Sequence, residues 1–358
     1  MKRQLLAAVT ALTLLLTAGC SALFSRQYVH VTNHTATPTA EGDPSVLRAE
    51  SYQELVNALI YFIGQGAETG SIRLYMDSET VETDLENACL EVVQEDALGA
   101  YAVEYIKYSV NSVVTYNQAD VQITYRRTKE QVASIVSVTG TTAIRSELRS
   151  ALSSFDPEQV LRISYFDGDE DYIMTLVREA YYSTPATALG LPQAEIAIYP
   201  DSGRQRIVEI LLTYPLDLPE LERRQLLLEN RLEQLLQSPS LTLGEDPLLA
   251  AASTVLSAGD YAPAGGSTAY DVLVEGQGSS EGLALAMTLL CQNLNVDCQV
   301  VQGALDGEPH FWTVVETESG WRHLDLTASQ PLSIPLLTDE EQTALGYSWD
   351  AEAVPPCL

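Results

Sequence analysis

Apolar positions along the chain switch between a helical period and strict alternation, and the switches mark the elements. Ser51-x-x-Glu54 precedes apolar residues spaced three and four apart, which predicts a helix to about Phe62. Ile72-Arg73-Leu74-Tyr75 is expected to be extended. A second helix is expected near Thr83 to Gln94, followed by alternating strands at Val103 to Tyr108 and Val121 to Tyr125 across a polar turn. The same order then recurs: a helix around Ser146 to Leu152, a strand Leu161 to Tyr165, a helix Tyr172 to Tyr181, and strands Glu195 to Tyr199 and Ile207 to Tyr214.

Matched landmarks tie the two stretches together. Glu104-x-x-x-Tyr108 corresponds to Glu195-x-x-x-Tyr199, and Gln122-Ile123-Thr124-Tyr125 to Leu211-Leu212-Thr213-Tyr214. Tyr108 and Tyr199 are 91 apart, Tyr75 and Tyr165 are 90 apart, and Tyr125 and Tyr214 are 89 apart. A nearly constant offset points to one small α+β unit used twice, with chance spacing among eighteen tyrosines as the alternative. Each unit is expected to lay helices on one face of a short sheet. The Leu-, Glu- and Arg-rich run Leu218 to Leu236 reads as a helix linking them to a third α+β region.

The expected organisation is therefore a leader at 1–19, a tether at 20–48 and α+β modules at 49–138 and 139–217. A linking helix follows at 218–238, then an α+β domain at 239–340 and a tail at 341–358. The tether assignment rests on Ser, Thr, Ala and Pro without amphipathic period; His30 and His34 within it are expected to be solvated. Neither module carries a histidine, a metal-spaced acid cluster or a glycine-rich phosphate loop, so no cofactor is expected there.

Charge narrows the partners. The formal net charge of -30 becomes -32 when Lys2 and Arg3 leave with residues 1–19. Nucleic-acid binding needs clusters of Lys and Arg that displace counterions, and no such cluster exists, so nucleic acid is excluded as a partner. The acidity fits solubility outside the cell or contact with a basic partner.

The N-terminus explains such a location. Lys2 and Arg3, the uncharged run Leu5 to Leu16, and Thr17-Ala18-Gly19-Cys20 have the order of a secretory signal. The run is too short for a bilayer core of about 30 Å. Small residues before a cysteine resemble the bacterial lipobox, with Leu16 one place further from the cysteine than usual. The resemblance implies cleavage before Cys20, lipid on that cysteine, and a chain held on the outer face of the cell membrane; an ordinary cleaved signal with a chance cysteine is the alternative. Cys89, Cys291, Cys298 and Cys357 remain, as free buried thiols or in one of three full pairings.

Candidate chemistry is confined to residues 265–327. Gly278-Ser279-Ser280-Glu281-Gly282 opens an apolar helix to about Asn293, a strand follows at Val296 to Gly303, then His310-Phe311-Trp312 and Trp321-x-x-Leu324-Asp325. This order resembles the transglutaminase-like domain of bacterial surface proteins, related in fold to papain-type cysteine enzymes. In that family a Gly-x-Cys-x-Gly turn starts the helix, and histidine and aspartate strands complete a triad. The resemblance implies that Ser280, His310 and Asp325 occupy the triad positions, with Gly278, Ser279, Glu281, Trp312 and Trp321 as cleft residues. An even-membered hairpin around Glu316 to Gly320 would put His310 and Asp325 opposite one another on one face.

One departure changes the chemistry: serine stands at the nucleophile position. A hydroxyl is far less acidic than a thiol, so a helix end and an imidazole that ionise cysteine do not ionise Ser280. Cys291 cannot replace it, because eleven residues at about 1.5 Å rise put it roughly 16 Å away. Three readings follow. A pseudoenzyme would bind a peptide, an envelope protein or a peptidoglycan fragment; a Ser-His-Asp hydrolase or acyltransferase would turn over substrate; a structural role would leave His310 and Asp325 as a satisfied pair and Ser280 as a cap. A metal on His310, His323 and Asp325 lacks a fourth ligand, and no metal is expected.

Overall fold

The computed structural model describes residues 38–40, 43, 45–77, 79–238, 241, 246–330 and 333–358. The leader, Cys20, His30 and His34 lie outside them. Among the described residues no helix is long and apolar enough to cross a membrane. The fold is α+β throughout, and the described residues form two compact units: those from 38 to 92 with 105–124, and those of 93–104 with 125–358.

In the first unit, Ser51 starts helix α1 (Tyr52–Gly64) by accepting from the Glu54 amide at 3.3 Å, while the Glu54 carboxylate accepts from the Glu50 amide at 2.7 Å. Leu55, Leu59, Phe62 and Ile63 form its buried face. That face covers a sheet of β1 (Thr39–Ala40), β2 (Val46–Ala49), β3 (Thr69–Leu74), β4 (Val103–Val113) and β5 (Tyr116–Tyr125), in order β1-β2-β3-β5-β4. Helix α2 (Val81–Gln94) connects β3 to the β4–β5 hairpin region. The expected tether therefore ends early: Leu47 and Ala49 are buried, and their strand pairs in parallel with β3. Gly70 admits the Phe62 ring, since a Cβ there would lie 2.5 Å from it.

The second unit opens with α3 (Ala97–Ala102) and α4 (Lys129–Ala133), then β6 (Val136–Val138), α5 (Gly140–Ser154), β7 (Glu158–Ser164), α6 (Glu170–Ser183), β8 (Gln193–Tyr199) and β9 (Gln205–Thr213). Its sheet order β6-β7-β9-β8, with one parallel and two antiparallel pairings, repeats the order β2-β3-β5-β4. The registers repeat as well. Leu47 pairs with Ile72 and Ile72 with Ala119; Val136 pairs with Leu161 and Leu161 with Val208, each position 89 residues on. The bounds of α2 and α6 differ by the same 89. The Tyr75–Tyr165 match at 90 is thus one residue out of step. Ser164 stands where Tyr75 would map, and Tyr165 has already left the strand at φ 58°.

Helix α7 (Leu218–Leu236) buries Leu221, Leu228 and Leu235, spaced by seven, against one continuous apolar core. Each buried leucine contributes about 1.5–3 kcal/mol. The same core includes α8 (Pro247–Ala258), α9 (Ala269–Leu273) and α10 (Ser280–Asn293), where every residue from Gly282 to Cys291 is buried. β10 (Asp260–Gly266) and β11 (Gln277–Gly278) pair in parallel beside the start of α10. An antiparallel sheet of β12 (Cys298–Leu305), β13 (Glu308–Thr317), β14 (Gly320–Leu324) and β15 (Tyr347–Trp349) packs on that helix, in order β14-β13-β12-β15.

The last residues are no free tail. Thr338 and Glu341 form a capping box for α11 (Asp339–Ala344), β15 pairs with β12, and the Cys357 amide donates to Asp339 at 3.1 Å. Buried Tyr347 and Cys357 hold this segment to the domain that the sequence ended at 340.

Candidate active site

The start of α10 depends on three glycines. A Cβ on Gly278 would lie 2.3 Å from the Val272 side chain, one on Gly282 2.8 Å from the Gly266 carbonyl, and one on Gly266 inside Asp271. Only bare backbone allows β10, β11 and the helix end to approach this closely. Ser279 caps the helix, accepting from the Gly282 amide at 3.4 Å, and its own amide donates to the Gly266 carbonyl at 2.8 Å. Ser280 follows as the first helical residue, half-buried.

His310 and Asp325 meet on the neighbouring sheet, with His310 Nε2 2.7 Å from Asp325 Oδ2. The hairpin loop has two residues, as the even-membered turn required, but the register aligns Thr317 with Gly320 and Thr313 with Leu324. Asp325 therefore lies diagonally across from His310 on the same face rather than directly opposite. The Thr327 hydroxyl lies 3.4 Å from His310 Nε2.

Two further donors hold the carboxylate: the Tyr347 hydroxyl to Oδ2 at 2.6 Å and the Thr327 amide to Oδ1 at 2.7 Å. Burial alone would raise the Asp325 carboxyl, but the hydrogen bonds from His310, Tyr347 and Thr327 outweigh it and hold the group below its ordinary value. Burial and the same carboxylate push the Tyr347 phenol up. Each of His310 and Asp325 is only 6% exposed.

Ser280 does not join them. Its Oγ accepts from the Phe311 amide at 3.3 Å, and among the described residues no hydrogen bond links it to His310. Glu281 turns away to accept from the Tyr182 hydroxyl at 3.0 Å, and burial raises its carboxyl against that bond. Trp312 is core rather than cleft wall, 1% exposed, with its indole N–H donating to His323 Nδ1 at 2.8 Å. Gly278 is buried under Val272, and half-buried Trp321 packs on the small cluster around Trp312 and Tyr347.

The histidine, aspartate and cysteine at 323, 339 and 357 bring ligand atoms within 4.8 Å of one another, the one such grouping among the described residues. It does not fit a metal. The Trp312 indole occupies Nδ1, so the neutral imidazole carries its proton on Nε2, aimed at Asp339 Oδ1 at 2.8 Å. Asp339 Oδ2 takes the Cys357 amide, and burial pushes the Cys357 thiol up to about 11. These groups form a hydrogen-bonded chain that ties the C-terminal segment to the sheet. Both ring nitrogens of His323 are thereby engaged, by Trp312 and Asp339, which removes the three-ligand arrangement considered from sequence.

Cys89, Cys291, Cys298 and Cys357 are free thiols in this structure. A hydrogen bond with Cys298, then burial, pushes the Cys291 thiol far up, so neither it nor buried Cys89, raised to about 12, supplies a thiolate. Sequence reasoning missed Tyr347, Asp339 and Tyr182. The Thr338-x-x-Glu341 box and the alternation Tyr347-Ser348-Trp349 were the signals that an ordered element follows residue 340.

Residues 243–326 match the model of the transglutaminase-like superfamily and form a transglutaminase-like domain. Among solved structures, the chain is similar to a crystal structure of a TGase at 12% identity, covering 58% of this chain and 61% of that one, with a TM-score of 0.26. It thus spans less than two thirds of that protein's length. It is similar to a candidate cysteine protease from Cytophaga hutchinsonii at 12% identity, 44% and 70% coverage and a TM-score of 0.24. A candidate protease from Parabacteroides distasonis is similar at 10% identity, 76% and 45% coverage and a TM-score of 0.21. No curated protein matches the chain.

Proposed function

We propose that this protein is an extracytoplasmic lipoprotein, anchored through Cys20, whose transglutaminase-like domain no longer catalyses and instead binds a peptide, an envelope protein or a cell-wall fragment. The observation that carries this reading is the division of partners at the site. Ser280 Oγ accepts from the Phe311 amide, His310 Nε2 meets Asp325, and among the described residues no hydrogen bond joins the serine hydroxyl to His310. A serine nucleophile needs a base that takes its proton, because the hydroxyl is weak alone. The repeated strand order and register support descent of the two α+β modules from one duplicated unit.

A serine-directed fluorophosphonate tests the site. No labelling of Ser280 is expected on the intact chain. Covalent labelling there that disappears in His310→Ala would overturn this reading in favour of a Ser-His-Asp hydrolase or acyltransferase. That second reading draws on the fully bonded His310–Asp325 pair, which an active triad also requires. Anchoring is tested by radiolabelled palmitate in the expressing bacterium. Incorporation that persists in Cys20→Ala would remove the lipid from this cysteine.

A further inference from the structure

A cavity of about 700 Å³ lies in the second unit, between α5 and α6 on one side and β12 with the C-terminal segment on the other. Arg145, Arg149 and Arg178 line it, in a chain with only 19 lysines and arginines against 49 acids. Arg145 is paired with Glu179 at 2.6 Å, while Arg149 and Arg178 are exposed side chains at the rim. Glu179 and Asp350 line it as well, so three arginines against two acids leave it net positive in an otherwise acidic protein, which favours an anionic occupant.

The opposite wall is a strand edge. β12 pairs with β15 only from Gly303 to Leu305, so no strand covers its outer side from Cys298 to Gln302 among the described residues. The ladder phase identifies the groups left open. The Asp297 carbonyl accepts from Glu316 on the β13 side, and the Asp306 amide donates to Gly346 on the β15 side. Odd-numbered residues of β12 therefore spend their backbone on β13, and the amides and carbonyls of Cys298 and Val300 point to the open side. The C-terminal segment meets this edge through the Gln299 side chain, which donates to the Ala353 carbonyl at 2.9 Å, while the Cys298 and Val300 backbone groups are left for an added strand.

Spacing connects the two walls. Arg145 and Arg149 are one helical turn apart, with about 5–6 Å between their Cβ atoms, and alternate side chains on a strand recur about every 6.8 Å. We propose that this groove binds an extended acidic peptide, which adds a strand to the edge of β12 and presents carboxylates on one face to Arg145, Arg149 and Arg178. The inference rests on the binding role proposed above for its partner class, but not on Ser280 or His310.

Fluorescence anisotropy of labelled (Glu-Thr)5 on the full chain tests it, with (Lys-Thr)5 as the counterpart. Saturable binding of the acidic peptide alone is expected, at least tenfold weaker in R149E/R178E and weaker again as salt rises. Methylating alternate backbone nitrogens should abolish binding in one of the two registers, because only one set of amides faces the strand. Three outcomes overturn the inference: no binding, equal binding of the basic peptide, or indifference to both methylation patterns. Binding that survives R149E/R178E but is lost in His310→Ala also overturns it, while leaving the proposed binding function in place. Labelling of Ser280 by the phosphonate with loss of peptide binding in R149E/R178E would do the reverse.

Discussion

Tyr347 donates its hydroxyl at 2.6 Å to Asp325 Oδ2, the oxygen that His310 Nε2 meets at 2.7 Å. A residue from the last strand thus shares one carboxylate oxygen with the histidine of the triad position. The consequence is a site whose acid is held by the C-terminal segment as firmly as by its own hairpin.

Removing that hydroxyl tests the arrangement. A hydrogen bond to a charged group contributes about 1.5–3 kcal/mol, so Tyr347→Phe is expected to lower stability by that order at pH 7. Asp325 sits below its ordinary value, so its contribution is present above the unfolded value and is lost as pH falls through the folded one. The gap between wild type and Tyr347→Phe should narrow in urea titrations at pH 3. A gap unchanged across pH would mean that the hydroxyl supports packing and not the carboxylate.

His323 makes the opposite prediction near neutrality. Burial lowers its value below 6.5, with Asp339 opposing. Between the folded and unfolded values the unfolded chain binds more protons, so stability falls as pH drops below about 6.5. Thermal midpoints should decline from pH 7 to pH 5 and decline less in His323→Gln. Parallel declines in the two proteins would contradict this.

Trp312→Phe removes the indole N–H together with part of the ring. His323 Nδ1 then loses its donor in a fully buried place. The expected cost is about 1–3 kcal/mol for the unmet acceptor, read by chemical denaturation.

A buried ion pair in the second unit gives an independent test. Arg127 lies 2.6 Å from Glu209, whose side chain is 7% exposed, and its guanidinium sits over the Tyr101 ring at 5.0 Å. Glu209→Ala should cost about 3–5 kcal/mol by leaving the arginine unpaired, and Arg127→Met with Glu209→Leu should recover most of it. If the double variant is as unstable as the single one, shape rather than charge dominates there.

Periodicity and local capping were legible in the chain alone. Ser51 capping α1, the α7 leucine stripe and the glycines ahead of α10 are short-range features, because helix geometry brings residues three, four and seven apart to one face. The motif order around Ser280, His310 and Asp325 likewise lay in the sequence, together with the oxygen that replaces sulfur. Tertiary structure alone decided which of those groups touch. The hairpin register shifted Asp325 from facing His310 to a diagonal place, and the Phe311 amide took Ser280. Long-range strand pairing brought Tyr347 across 22 residues to Asp325. Such contacts depend on register between distant strands, and no periodicity within a strand specifies its partner.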